Sequence, residues 1–264
     1  MKTKFFAIVY LGILIAISCE KDKTIESKAE LTPQVLEDVS DKTTEIFGDL
    51  QTFMFDALTK AIESGGIITT PPSQSYVQEK FFRTLNLKST NDDFDWYGPD
   101  ASGWYYKTWV SLGYTYTEKI RCQDTVLTHI YSIEYSGGDG SFSSVYETQY
   151  AKYKRGNVTL WKGYSDWKEN TFGDNNISDV QWRFEFNDWN PQTGAGIYDW
   201  YWGANSLGGN YEPYRRFLNV IALEKGSDLL HIKVTWYDGS VEVGSYEYDT
   251  YWEPVDMPEM PCEQ

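Results

Sequence analysis

Few residues in this chain have the type and spacing needed for catalysis. Its two histidines, His129 and His231, both fall inside strand-like runs. A Ser-His-Asp arrangement needs a histidine beside an exposed nucleophile turn, and no Gly-x-Ser-x-Gly sequence occurs. Both histidines therefore read as structural. No His-x-x-x-His or Cys-x-x-Cys pair offers zinc-ligand spacing, and no phosphate loop of the Gly-x-x-x-x-Gly-Lys type is present. Thr193-Gly194-Ala195-Gly196 is glycine-rich but lacks the following helix of a dinucleotide site. Asp174, Asn176, Ser178 and Glu185 have EF-hand spacing, yet Asp179 stands where the sharp turn needs glycine. A polar hairpin loop is the better reading there. No catalytic residue, metal or cofactor is assigned.

Aromatic content is the outlier, with 11 Trp, 21 Tyr and 13 Phe making 17% of the chain. Trp161, Trp167, Trp182, Trp189, Trp200 and Trp202 crowd one window beside Asn187, Asp188, Asn190 and Asp199. Planar rings next to amides and carboxylates suit a sugar, whose apolar face stacks while its hydroxyls hydrogen-bond. Trp189 lies in the polar run Asn187-Asp188-Trp189-Asn190-Pro191, which predicts an exposed ring. Tyr198, Trp200 and Trp202 alternate with Tyr201, which predicts rings on both faces of one strand. The candidate ligand-binding set is Trp189, Trp200, Trp202, Tyr201 and Asp199. The competing reading is that a sheet poor in Leu and Ile builds its core from Tyr and Trp. Asp166, Glu169, Glu185, Asp188 and Asp199 would be the carboxylates of a small glycoside hydrolase, the third-ranked reading.

The charge balance, 23 basic against 39 acidic residues and a net −16, argues against nucleic acid, whose phosphates need clustered Lys and Arg. It argues equally against adsorption to anionic lipid. The chain opens Met1-Lys2-Thr3-Lys4 and runs apolar from Phe5 to Ile17. That stretch is well short of the ~20 residues of a membrane-spanning helix and has the form of a secretory signal peptide. It ends Ala16-Ile17-Ser18-Cys19, which resembles the lipobox of bacterial lipoproteins, with Ile17 and Ala16 as mild departures. The resemblance covers residues 1–23. It implies cleavage before Cys19, acylation of Cys19 and attachment to the membrane through that lipid. No Asp follows Cys19, so the resemblance implies the outer membrane, on its cell-surface or periplasmic face. Glu20-Lys21-Asp22-Lys23 is similar to the export tags of some surface lipoproteins. Cys122 and Cys262 then remain in an oxidising compartment, where one disulfide is expected.

Residues 1–18 thus form the signal peptide, and residues 19–31 the lipidated cysteine with a flexible tether. A helical segment follows over 32–88. Thr32-Pro33 is an N-cap with proline at the first helical position. Val39, Ile46, Phe47, Leu50, Phe53, Met54, Ala57, Leu58 and Ile62 form an apolar stripe ended by Gly65-Gly66. A short second helix is expected over Ser73–Leu87. From Trp104 the period becomes two, and about ten strands with short turns predict an antiparallel β-domain over 89–254. An extended tail closes the chain over 255–264. The expected fold is mainly β within the α+β class: an N-terminal amphipathic helix on a curved antiparallel meander sheet or incomplete barrel. Its element order resembles that of half-barrel lipoprotein carriers of the bacterial envelope. The expected function is ligand binding without catalysis, with glycan as the leading ligand, a lipid or other apolar ligand second, and envelope protein partners in an assembly role as a further alternative.

Overall fold

The computed structural model describes residues 31–65, 95–137, 140–173, 176–206, 212–226, 228–238, 240–257 and 260–263. The expected second helix over Ser73–Leu87 and the tether lie outside the described residues. Helix α1 spans Pro33–Glu63. Its start follows the sequence signal: the Thr32 hydroxyl accepts from the backbone N–H of Val35, and Pro33 opens the first turn, where its missing N–H costs nothing. Its end is Ser64 followed by Gly65 at φ +92°, in the left-handed region that glycine enters without strain.

Ten strands follow, β1 Tyr105–Ser111, β2 Tyr114–Gln123, β3 Val126–Gly137, β4 Gly140–Arg155 and β5 Val158–Gly173. They continue with β6 Asn176–Trp189, β7 Gly196–Ser206, β8 Glu212–Gly226, β9 Leu229–Asp238 and β10 Val241–Tyr251. Each pairs antiparallel with the next in one open sheet ordered β1 to β10. The sheet is curved and does not close into a barrel. β4, β5 and β6 run further into their hairpins than their apolar alternation suggests, each arm being held by pairing with the next.

α1 crosses the inner face of the sheet. Ser40 meets Glu118 on β2, Thr43 meets Tyr150 on β4, and Phe47 packs on Phe186 of β6 at 5.6 Å. Phe53 and Phe55 reach Tyr198 and Trp200 on β7, and Lys60 lies over the Tyr248 ring of β10. One helix thus buries Leu36, Val39, Ile46, Leu50, Met54, Ala57 and Leu58 against a floor drawn from nearly every strand. A sheet this wide with one apolar face must cover that face, and a 31-residue helix is long enough to span it.

The tail after β10 folds back over the same end. Trp252 donates its indole N–H to Pro191 O and stands edge-on to Phe53, and the Val255 N–H also bonds Pro191 O. The tail ends in a 3-10 turn at Pro261–Glu263, and Cys262 bonds Cys122 of β2 with the Cα atoms 5.0 Å apart. The expected disulfide is present. It makes the tail a strap from the last strand to the second.

Candidate functional site

The aromatic set predicted from sequence divides between the two faces of the sheet. Trp189 is fully buried, its ring T-shaped against Phe186 at 5.2 Å. The expectation of an exposed Trp189 is therefore corrected. The polar residues around it turn the chain sharply, with Asp188 at φ +55° and Asn190 closing the turn, while the ring swings into the core. Trp200 is also core, edge-on to Phe55 at 4.7 Å, and Trp202 is half-buried beside Trp182 at 6.0 Å. All three tryptophans face α1. Tyr201 and Asp199 point the other way, where Arg216 pairs with the Asp199 carboxylate at 3.0 Å and donates to the Tyr201 hydroxyl. Asn219 gives Asp199 a second donor at 2.8 Å.

A groove of about 260 Å³ lies on that outer face over β4, β5 and β6. Its lining includes Gln149, Ala151, Tyr164, Arg183, Glu185 and Asn187. The depression comes from a β-bulge between Trp161 and Gly163 and from the small side chain of Ala151. Gly163 must be glycine: an added Cβ would lie 2.8 Å from both Phe186 Cζ and Tyr150 Cβ and closer still to Gln149 O. The Tyr164 ring is half-buried and backed by the Arg183 guanidinium, 4.0 Å from its centroid. Its hydroxyl donates to Glu147 at 2.7 Å, and burial together with that carboxylate pushes its pKa up, so it stays a neutral phenol. Arg183 pairs with Glu185 at 2.6 Å. The groove therefore presents a ring, two amides, the paired charges of Arg183 and Glu185, and the exposed Lys162 ammonium.

A second polar cluster sits under α1. Glu118 is buried and receives the Lys107 ammonium at 3.0 Å, the His129 Nε2 at 2.8 Å and the Ser40 hydroxyl. Glu37 of α1 holds Lys107 from the other side at 2.8 Å, and the Trp96 ring covers the same ammonium. Burial opposes ionisation of Glu118, but the hydrogen bond and charge of His129, the charge of Lys107 and the Ser40 hydroxyl outweigh it and hold the carboxyl at about 2. His129 and His231 are thus structural but not isolated, for His231 bonds Asp249 at 2.8 Å on the surface. The Ser40 hydroxyl is turned to the carboxylate and not to the imidazole. The cluster works as a polar latch between helix and sheet.

Of the carboxylates considered for hydrolysis, Glu185 and Asp199 are cross-strand partners on the outer face, and each is engaged by an arginine. Asp166 accepts from Gln181 and pairs with Lys168, Glu185 is held by Arg183, Asp188 by Arg155 and Tyr153, and Asp199 by Arg216. Glu169 is buried on the inner side. Cys19 lies outside the described residues. The groove escaped the sequence reading because Gln149, Tyr164 and Arg183 stand on three strands, and only register brings them together. The signal that could have found it is the polar half of the alternation, Gln181, Arg183, Glu185, Asn187, read as a surface and not as filler. No known protein family, curated protein or solved structure matches this chain.

Proposed function

We propose that this protein is a lipid-anchored component of the bacterial outer membrane that binds a glycan without transforming it. The observation that carries the reading is the outer-face groove. Tyr164 supplies a stacking ring held through its hydroxyl by Glu147, Gln149 and Asn187 supply amide donors and acceptors, and Glu185 supplies an acceptor. Arg183 is already paired with Glu185, and the exposed Lys162 adds a donor, so the lining can hydrogen-bond the hydroxyls of a sugar. The position differs from the one expected at Trp189 and Trp200, whose rings stabilise the core. The lipid-carrier alternative has less support. Among the described residues α1 packs along the inner face, and a gap there among Gln51, Met54, Trp167, Trp182 and Trp200 measures about 30 Å³, room for a water or two and not for an acyl chain. Envelope partners remain compatible with the anchor and add nothing to the groove. A glycan array with the intact protein tests the reading. Binding that Tyr164→Ala lowers about tenfold or more, with unchanged melting, is the expected result. An array with no signal, or a signal indifferent to Tyr164, overturns it.

A further inference from the structure

Tyr164 is the first of three outer-face tyrosines set two strands apart. Tyr201 follows on β7 and Tyr237 on β9, and all three are half-buried. Arginines fill the strands between them. Arg183 on β6 lies 4.0 Å from the Tyr164 ring centroid, and Arg216 on β8 lies 5.7 Å from Tyr201 and 5.9 Å from Tyr237. The strand register places Asp166, Arg183, Tyr201 and Arg216 in one row across the sheet. A parallel row carries Gln149, Tyr164, Glu185, Asp199, Asn219 and Thr235. We infer that the ligand is a linear, neutral oligosaccharide lying across the strands from Tyr164 to Tyr237, and this rests on the groove reading above.

Three features select that ligand. Neighbouring strands lie about 4.8 Å apart, so rings on alternate strands stand about 10 Å apart. Tyr164 stands two residues along the strand from the row of Tyr201, which makes that first spacing about 12 Å, so a chain with two to three sugar units between rings would cross the strands obliquely. Each arginine is spent locally, Arg183 on Glu185 and Arg216 on Asp199, so the row presents aromatic faces and hydrogen-bonding groups with its charge cancelled. Asp199 and Asn219 are buried beneath the row and bonded to each other, which fixes Arg216 and through it the rings on either side. A compact ligand would need only the groove; the repeat beyond it fits a chain.

Isothermal titration of the intact protein with cello-, manno- and chito-oligosaccharides of two to six units tests this. For at least one series, affinity should climb about tenfold or more from the dimer to the hexamer. Tyr237→Ala should lower hexamer affinity about tenfold while leaving the dimer unaffected, whereas Tyr164→Ala should lower both. Tyr237→Phe, which keeps the ring, should bind like the wild type and controls for folding. Affinity that is flat with length, or a hexamer indifferent to Tyr237→Ala, overturns the extended ligand while leaving the groove reading intact. No binding by any series overturns the extended neutral ligand, and the glycan array decides the groove reading separately.

Discussion

Trp189 shows how a single residue can mislead when only its neighbours are read. Asn187, Asp188, Asn190 and Pro191 are polar or turn-forming, yet the indole they flank is among the largest fully buried side chains of the molecule. Trp189→Ala should therefore cost about 3–5 kcal/mol, by loss of burial and the cavity left behind. Trp189→Phe should cost less, because the indole N–H of Trp189 has no acceptor within the protein to lose. Urea midpoints of the two variants check the order, and equal losses would contradict it. Glu118 makes the complementary case for charge. Its carboxyl titrates from 4.5 in the unfolded chain and at about 2 in the folded one. The stability this contributes is complete above about 4.5 and is lost as pH falls towards 2, and it amounts to something on the order of 3 kcal/mol. Glu118→Gln should lower stability at neutral pH, because Lys107 and His129 lose their shared negative charge and one acceptor oxygen becomes a donor, and should flatten the acid side of the stability curve. A variant that keeps the wild-type slope between pH 5 and pH 2 would show that the latch does not set acid stability.

At the scale of elements, the disulfide, the strap and α1 act together. All three tie strands that are distant in the meander, whose own contacts join only neighbours. The Cys122–Cys262 bond spans 140 residues, and the loop-entropy estimate for that length is about 5 kcal/mol. Cys122→Ser with Cys262→Ser should therefore lower the unfolding free energy by several kcal/mol without changing the strand order, read as a lower melting temperature with an unchanged far-ultraviolet spectrum. A melting temperature within a degree of wild type would mean that Trp252 and Met260 hold the strap alone. The same elements show what was legible in sequence. Thr32-Pro33, the apolar stripe and Gly65 define α1 because capping and periodicity are local. Period-two alternation defines all ten strands because each has one apolar face. The disulfide follows from arithmetic on three cysteines. What was not legible is whatever depends on register: Lys107, Glu118 and His129 meet across three strands, and Tyr164 reaches Arg183 only through the pairing that the bulge at Gly163 adjusts. Composition places Tyr and Trp in the sheet, but only the side each takes decides between core and surface. Val180 to Asn187 alternates cleanly enough to show which face is covered, whereas Ile197 to Gly203 carries rings on both faces and nothing local says which of them is core.

For the molecule as a whole, attachment and binding separate. No helix among the described residues is long and apolar enough to cross a membrane, and the apolar run Phe5–Ile17 is shorter than a span. The folded unit carries net negative charge, so electrostatic adsorption to anionic lipid would work against it. In the proposed arrangement, retention at the membrane rests on the acyl chains at Cys19, each buried methylene contributing about 0.8 kcal/mol. Among the described residues the first tie to the sheet is at Leu31, whose N–H donates to the Tyr105 hydroxyl, and Cys19 lies twelve residues before it in the sequence. Cys19→Ser should therefore abolish labelled-palmitate incorporation and move the protein from the membrane fraction to the soluble one. Its melting temperature and its glycan affinity should stay at the values of the detergent-solubilised wild type. Retention in the membrane fraction with no label incorporated would assign attachment to a partner protein, and label still entering the Cys19→Ser chain would place the acyl acceptor elsewhere.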